Sequence, residues 1–306
     1  MKLVAVVFVG IVIGAAAVYF WSKERVVERP KEYPLLKYTI ENLGKRQYDS
    51  QIILDNEVNS GVFNFHFDSD GKRVNGLAHI PGGCGKCPVV AQFRGYQDVE
   101  KYVTGNGTRR TAEEFSKAGF ISLAPDFLGY GGSASPSADV WEARFETYTT
   151  ALNLLSAISY WPLADPDRIG IWGHSNGGQI ALTVLEVKSY PAVLWAPVSA
   201  PFPYSVLYYT DDVEDHGRLL RKELAEFEKD YDVELYSPWN YLDRITAPIL
   251  LQQGTADIQV PVKWSRDLAK KVKSMEYVEY TRADHNLLPK WNGAVKEAVE
   301  FFRKKL

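Results

Sequence analysis

Cysteine is nearly absent from this sequence: Cys84 and Cys87, in a single C-G-K-C motif, are the two examples among 306 residues. A structural zinc site takes four ligands, and no second cysteine pair is present to complete one. A redox C-x-x-C normally opens a helix, whereas this motif lies in the Gly-rich stretch PGGCGKCP, before a strand-like run. We therefore expect a loop pair, reduced or disulfide-bonded according to compartment, with a metal or redox role as the alternative. We expect no metal and no cofactor.

An excess of positive charge is also missing. The chain has 35 Lys and Arg against 38 Asp and Glu, a net charge of -3. The net charge therefore gives no reason to expect nucleic-acid binding, because a protein that binds phosphates usually has an excess of Lys and Arg to neutralise them. The Gly-rich stretch PDFLGYGGS at residues 125–133 lacks the lysine of a phosphate-binding loop. With 46% hydrophobic residues, the chain can form one large core.

The N-terminus contains one long uncharged run, LVAVVFVGIVIGAAAVYFW, from Leu3 to Trp21. At about 1.5 Å per residue, some twenty helical residues cross a hydrocarbon core of about 30 Å. We predict a signal anchor or transmembrane helix over residues 1–21, followed by a juxtamembrane linker over residues 22–46. The alternative is a signal peptide cleaved after the small residues Ala15–Ala17, which would release a secreted protein.

The sequence gives weaker evidence for the side of the membrane on which the C-terminal domain lies. Four basic residues, Lys23, Arg25, Arg29 and Lys31, follow the apolar run, and the positive-inside rule alone would keep the C-terminal domain in the cytoplasm. Short N-terminal anchors with a basic start, such as Lys2 here, nevertheless often export the domain that they carry. We expect the domain on the extracytoplasmic side. The oligomeric state is not predicted.

Residues 47–306 alternate strand-like and helix-like segments. The stretch GVFNFHFDSDGKRVNGLAHIP predicts a hairpin with Asp70-Gly71 at its turn. In TAEEFSKAG, Thr111 and Glu114 predict a helix with Thr111 as its N-cap. The alternation predicts an α/β fold with a mostly parallel sheet and helices on both faces. It breaks after the sixth predicted strand, where residues 203–236 predict a helical, lid-like insertion.

The stretch IGIWGHSNGGQIAL contains Gly173-x-Ser175-x-Gly177 where a strand turns into a helix. In this context G-x-S-x-G predicts a nucleophile elbow, a turn so tight that flanking side chains would clash. The strained turn exposes the serine hydroxyl above the sheet. A Gly-rich turn with an incidental serine is the alternative interpretation.

A serine nucleophile needs a base, and the base needs an acid to orient it. The sequence has only five histidines. His66 and His79 lie in the hairpin, His174 in the elbow, and His216 in the insertion, whereas His285 follows the last predicted strand. Asp257 follows the preceding strand, in QQGTADIQVP. The order of Ser175, Asp257 and His285 predicts a catalytic triad at the carboxyl edge of the sheet.

The same edge also offers hydrogen-bond donors for an oxyanion. One is the backbone N–H of Asn176, the residue after the nucleophile. The loop after the strand CPVVAQF continues as Arg94-Gly95-Tyr96, and the N–H of Tyr96 is the second candidate. Gly95 would let the backbone approach the site.

These motifs together make the chain resemble the catalytic domain of the prolyl oligopeptidase family, which has the α/β-hydrolase fold. The resemblance covers residues 88–289 and is carried by PVVAQFRGY, APDFLGYGGS, DPDRIGIWGHSNGG, SPWNYLDRITAPILLQQGTADIQVP and ADHNLLP. It implies Ser175 as nucleophile, Asp257 as acid and His285 as base. Two features depart from the family: the chain has no room for a β-propeller, and Arg94-Gly95-Tyr96-Gln97 stands where many members have His-Gly-Gly-Pro.

The sequence therefore predicts a serine hydrolase that forms an acyl-enzyme, with short peptides as substrates. Carboxylic esters are the alternative substrate class, because the same groups cleave both. An acyltransferase and a non-catalytic α/β-hydrolase domain used for binding are the alternatives from other classes.

Overall fold

The computed structural model describes residues 31–210 and 213–306, and Leu35–Leu306 form one compact unit. The predicted N-terminal anchor lies outside these residues. None of the helices in the described ranges is long and apolar enough to cross a membrane.

Nine strands form a single sheet in the order β1-β2-β3-β5-β4-β6-β7-β8-β9, with β4 to β9 mutually parallel. In chain order they are β1 (Ile53–Asn59), β2 (Val62–Ser69), β3 (Lys72–His79), β4 (Cys87–Phe93), β5 (Ile121–Pro125), β6 (Ala164–His174), β7 (Ala192–Trp195), β8 (Ile249–Gly254) and β9 (Met275–Tyr280). This mostly parallel sheet confirms the predicted α/β class.

Eight α-helices connect or flank these strands in the described residues. They are α1 (Ile40–Lys45), α2 (Arg109–Lys117), α3 (Val140–Tyr160), α4 (Asn176–Leu185), α5 (Tyr204–Leu207), α6 (Arg218–Phe227), α7 (Val262–Lys271) and α8 (Trp291–Lys305). Short 3-10 helices cover Pro34–Tyr38, Val99–Lys101, Val233–Tyr236, Pro238–Asn240 and Leu242–Arg244.

Successive residues of the central strands point to opposite faces of the sheet and enter two separate cores. On β6, Ile171 packs in a large core with residues of α3, α4 and α7, while Trp172 packs with residues of α2 and α8. Helices therefore cover both faces, as predicted, and this makes the central strands apolar almost throughout.

The predicted hairpin forms as β2 and β3. Asp70 and Gly71 both have positive φ, 58° and 79°, and Ser69 pairs with Lys72 across the turn. Phe65 and Phe67 are buried on the same face of β2. The alternation along the chain therefore indicated both the strand and its inward face.

Three features differ from those predicted. Strand β1 was not predicted, so the insertion follows the seventh strand rather than the sixth. Helix α2 begins at Arg109 with Thr108 as its N-cap, not at Thr111. The supposed linker of residues 22–46 is helical from Pro34 onward, because its apolar side chains are buried in the core (Leu35, Tyr38, Ile40 and Leu43). The cysteine pair, which was expected to be either reduced or disulfide-bonded, is disulfide-bonded.

Candidate active site

Ser175 lies at the sharp turn between β6 and α4. Its φ of 56° and ψ of -119° are strained for a non-glycine residue. Its N–H donates to the carbonyl of Trp195 at 2.9 Å, and its carbonyl accepts from Val198 N–H at 3.0 Å. Since both partners follow or end the neighbouring β7, the sheet holds the serine in its strained conformation.

The flanking glycines allow this turn. A Cβ atom at Gly173 would lie 2.7 Å from the carbonyl oxygen of Gly177, and a Cβ at Gly177 would overlap the carbonyl oxygen of Phe93. The backbone crossing is therefore too close for any side chain at either position, which is the physical basis of G-x-S-x-G here.

Asp257 and His285 form a buried hydrogen-bonded pair beyond the ends of β8 and β9. His285 Nδ1 donates to Asp257 Oδ2 at 2.8 Å. The His285 side chain is 7% exposed and the Asp257 side chain is 0% exposed. Asp257 Oδ1 accepts the backbone N–H groups of Gln259 at 2.8 Å and Val260 at 2.9 Å. The acid is thus fixed by its own loop and points at the histidine.

Burial raises the pKa of the Asp257 carboxyl, but the hydrogen bonds from His285, Val260 and Gln259 outweigh it and hold that pKa below its ordinary value. Asp257 is therefore ionised at neutral pH. Its acceptance of the Nδ1 proton leaves Nε2 of a neutral His285 as the basic nitrogen.

His174 connects this pair to the elbow. Its Nε2 donates to the backbone carbonyl of His285 at 3.0 Å, and the two rings lie 4.6 Å apart between centroids. Burial, and then the nearby His285, lower the pKa of His174 to about 4, so it is neutral at pH 7. The direct hydrogen bonds thus join Asp257 to His285, and the elbow is linked to that pair through the residue preceding Ser175.

The loop after β4 lies against the serine. A Cβ on Gly95 would be 3.0 Å from Ser175 Cβ and 3.6 Å from its Oγ, so only glycine lets this backbone approach so closely without displacing the serine. The N–H groups of Tyr96 and Asn176 donate to no other residue within the described chain. The Tyr96 side chain is 77% exposed.

Two other acidic residues near the carboxyl edge of the sheet, Asp126 after β5 and Asp284 next to His285, have structural partners. Asp126 accepts hydrogen bonds from Tyr102 Oη at 2.6 Å and Thr104 Oγ1 at 2.8 Å. Asp284 accepts the backbone N–H groups of Asn286 and Leu288 and so shapes the turn that carries the histidine. His66 pairs with Asp55 on the first two strands, and His79 is buried on β3.

Two buried side chains beside the site were missed by sequence reasoning. Gln253 donates from Nε2 to Asp257 Oδ2 at 2.9 Å, and its Oε1 accepts from Ser265 Oγ at 2.7 Å. Arg94 donates to the carbonyls of Gly95 and Asp126. No motif in a single sequence marks either role, because each depends on how the chain folds around the side chain: Gln253 joins Asp257 to α7, and Arg94 joins the ends of β4 and β5. Across residues 31–210 and 213–306, no group of three metal-ligating side chains converges.

The insertion borders the acid side of the site. Tyr209, on the insertion, and Trp264, on α7, pack against Val198 and Val260. These valines donate the backbone hydrogen bonds to Ser175 and Asp257. The insertion also places the Tyr208 ring, at the end of α5, 4.9 Å from the Trp264 ring.

A strained serine at a strand–helix elbow, beside a buried Asp–His pair at the carboxyl edge of a mostly parallel sheet, is the arrangement of an α/β-hydrolase. A family model described as the prolyl oligopeptidase family, Peptidase_S9, matches residues 108–306. The chain belongs to this family and is a serine hydrolase.

One curated relative and several solved structures are similar to the chain. It is 28% identical over 235 residues to the uncharacterized peptidase YtmA of Bacillus subtilis (strain 168), covering 73% of this chain and 86% of the relative. An acetyl xylan esterase from Paenibacillus sp. R4 superposes with a TM-score of 0.66 at 19% identity, covering 91% of this chain and 97% of that one. A puromycin-hydrolyzing peptidase of Mycobacterium tuberculosis gives 0.63 at 20% identity, covering 82% and 40%. These structures share the fold.

Proposed function

We propose that this hydrolase is a serine-type peptidase that cleaves short peptides through an acyl-enzyme on Ser175. Asp257 and His285 complete the triad in this proposal. The observation that carries it is the strained, sheet-anchored Ser175 beside a buried Asp257–His285 pair whose free nitrogen is Nε2. The curated relative named as a peptidase supports the same substrate class.

The reaction follows from this geometry. The Ser175 hydroxyl oxygen attacks the substrate carbonyl carbon while His285 Nε2 takes its proton, and ionised Asp257 stabilises the imidazolium. The oxyanion accepts hydrogen bonds from the backbone N–H groups of Asn176 and Tyr96. His285 then gives the proton to the leaving amine, which departs. Water, deprotonated by the same nitrogen, then attacks the acyl carbon. The bond from that carbon to Ser175 Oγ breaks, His285 returns the proton to Oγ, and the acid is released.

A carboxylesterase is the second candidate, because the same atoms cleave an ester with an alcohol as leaving group. Solved neighbours that are named as esterases, including Est1E of Butyrivibrio proteoclasticus with ferulic acid bound (TM-score 0.59, 18% identity, 78% of this chain and 97% of that one), have this fold.

The test is active-site labelling followed by a substrate panel. A fluorophosphonate probe should label the folded protein once, at Ser175, and label neither the Ser175→Ala variant nor the denatured chain. Ser116→Ala, in α2, is the matched control and should label normally. Ser175→Ala should lose several orders of magnitude in kcat. If the folded protein is not labelled, the triad assignment is wrong.

The panel compares aminoacyl-p-nitroanilides with p-nitrophenyl esters. A peptidase should turn over both, since amides are the harder substrates. Turnover of esters with no anilide cleavage would replace the peptidase proposal by the carboxylesterase. Labelling without turnover of either set would favour an acyltransferase that requires an acceptor other than water.

We also propose that residues 3–21 anchor the protein in a membrane, with the catalytic domain on the extracytoplasmic side. The uncharged run from Leu3 to Trp21 supports this proposal. The full chain should stay with membranes after an alkaline wash and be digested by protease added to intact cells. A mature N-terminus just beyond Ala17 would instead establish the cleaved, secreted form.

A further inference from the structure

The residue that precedes the oxyanion loop has an unusual environment for an arginine. Arg94 is 5% exposed at the end of β4. Its guanidinium carbon lies 4.0 Å from the ring centroid of Tyr130 and 4.5 Å from that of Tyr102. These two rings meet edge to face, 5.1 Å apart between centroids, and the buried guanidinium lies in the corner that they form. Attraction to both rings limits its rotational freedom.

The guanidinium uses this orientation to bind two backbone carbonyls. Nη1 donates to Gly95 O at 3.0 Å, and Nη2 donates to Asp126 O at 2.7 Å. Asp126 in turn accepts Tyr102 Oη, so the ring that covers one face of Arg94 is itself tied to the end of β5. The contact to Gly95 is therefore part of a rigid network that joins the ends of β4 and β5.

A bound Gly95 carbonyl fixes the next N–H. The peptide between Gly95 and Tyr96 is planar and trans, so its N–H points away from the oxygen that Arg94 holds. The carbonyl of Gln97 is held as well, since Tyr130 Oη donates to it at 3.0 Å. Tyr96 thus lies between two tethered carbonyls, and its own N–H has no acceptor in the described chain.

We propose that Arg94 is a positioning residue for the oxyanion hole: by binding the Gly95 carbonyl, it aims the Tyr96 N–H at the substrate oxygen. The charged donor also polarises the Gly95–Tyr96 peptide, which strengthens that N–H as a donor. This inference rests on the proposed acyl-transfer function. It explains why arginine is compatible with this loop, although its side chain never reaches the reacting atoms.

The test uses Arg94→Met in the full chain, with Arg110→Met as the matched control. Arg110 is also an arginine stacked on an aromatic ring, at 3.5 Å from the Trp291 centroid, but it lies on α2 and not at the site. Activity is measured with p-nitrophenyl acetate. The concentration of competent sites is taken from the fluorophosphonate labelling stoichiometry, so that misfolded protein does not count.

Arg94→Met should lower kcat per labelled site roughly 10- to 100-fold with little change in KM, somewhat less than loss of a whole oxyanion donor. Arg110→Met should keep the wild-type kcat. A purely structural role for Arg94 would reduce the number of labelled sites and leave the rate per site unchanged. A per-site kcat within about twofold of wild type would therefore overturn the inference.

Two further variants keep the inference testable if Arg94→Met fails to fold. Arg94→Lys keeps the charge but cannot bind both carbonyls with a planar fork, and should lose roughly 3- to 10-fold in kcat. Tyr130→Phe removes the tether to Gln97 and should cost less than Arg94→Lys. Wild-type kcat in Arg94→Lys contradicts the inference, whereas absence of labelling in the wild-type protein contradicts the proposed function instead.

Discussion

The two ends of helix α4 face opposite edges of the sheet, and a carboxylate is buried near each. At its N-terminal end, next to the elbow, Asp257 accepts four hydrogen bonds from His285, Gln253, Gln259 and Val260. At its C-terminal end, Glu186 is 6% exposed, and neither carboxylate oxygen has a hydrogen-bond partner within the described residues. The same chemical group is thus fully satisfied at one edge and unsatisfied at the other.

This difference sets the protonation states. Hydrogen bonds hold the pKa of Asp257 below its ordinary value despite burial, whereas burial raises the pKa of Glu186 well above its own. The negative end of the α4 dipole also disfavours a charge at Glu186. The comparison teaches that burial without donors raises the pKa of Glu186, whereas at Asp257 four converging hydrogen bonds, one of them from a histidine, outweigh the same burial.

The largest expected effect on activity comes from removing the charge of Asp257. Asp257→Asn should lower kcat about 10⁴-fold with little change in folding. The amide N–H group of the Asp257→Asn side chain would donate to His285 Nδ1. The histidine would then carry its proton on Nε2, and Nε2 could no longer accept the serine proton. Steady-state kinetics with a p-nitrophenyl ester measures this, and circular dichroism checks the fold.

The matched control for this change is Asp284→Asn, at the residue that directly precedes His285. It should keep most of the activity, since an amide oxygen still accepts the N–H groups of Asn286 and Leu288. Equal losses in the two variants would contradict the assignment of Asp257 as the triad acid.

An intermediate effect is expected where the insertion meets the acid side of the site. Trp264→Ala removes the ring against which Tyr204 and Tyr208 pack, at 6.0 and 4.9 Å, and aromatic pairs are worth about 0.5–1.5 kcal/mol each. We expect KM to rise several-fold and the preference for acyl chain length to change, with kcat altered less than about threefold. Kinetics across an ester series measures both.

Tyr160→Ala, an exposed aromatic at the end of α3, serves as the control for the loss of a surface ring. If Trp264→Ala keeps the wild-type KM and chain-length preference while remaining folded, the insertion does not shape substrate access.

The smallest effect on activity is expected at Glu186, whose carboxylate oxygens have no hydrogen-bond partner within the described residues. Glu186→Gln should leave kcat unchanged and raise the free energy of unfolding by about 1–3 kcal/mol at pH 8, since folding no longer has to protonate or desolvate a carboxylate that is ionised in the unfolded chain. The raised folded-state pKa means that ionisation destabilises the fold as pH rises above the unfolded value of about 4.3. The gain should therefore shrink toward pH 4, where the wild-type carboxyl is protonated.

Thermal unfolding of Glu186→Gln and of the exposed control Glu228→Gln across pH 4–8 measures this gain. Asp257 has the opposite sign: its lowered pKa stabilises the fold above about pH 4, and that contribution is lost as pH falls. A pH-independent gain in Glu186→Gln would mean that the carboxyl has the same pKa in the folded and unfolded states, and would contradict the raised pKa.

Much of the fold was predictable from local pattern. Alternation along residues 62–79 indicated the hairpin, and apolar runs indicated the parallel strands, because strands buried on both faces carry few polar residues. Strand β1 was missed because its residues are mostly exposed and it pairs along the sheet edge. Helix α1 was missed because its helicity depends on burying Ile40 and Leu43 in the core rather than on a strong propensity.

The sequence by itself determined which residues could perform chemistry: a serine between two glycines, followed in order by an acid and a histidine at strand ends. Spacing predicts that these residues lie at one edge, because a parallel sheet brings every strand's carboxyl end to the same edge. Only the tertiary structure decided which groups hold them in place. His174 binds the backbone of His285, and Gln253 joins Asp257 to Ser265 on α7. Arg94 joins the loop after β4 to Asp126 after β5. These contacts form when the strands assemble into the sheet, and they leave no motif in the sequence.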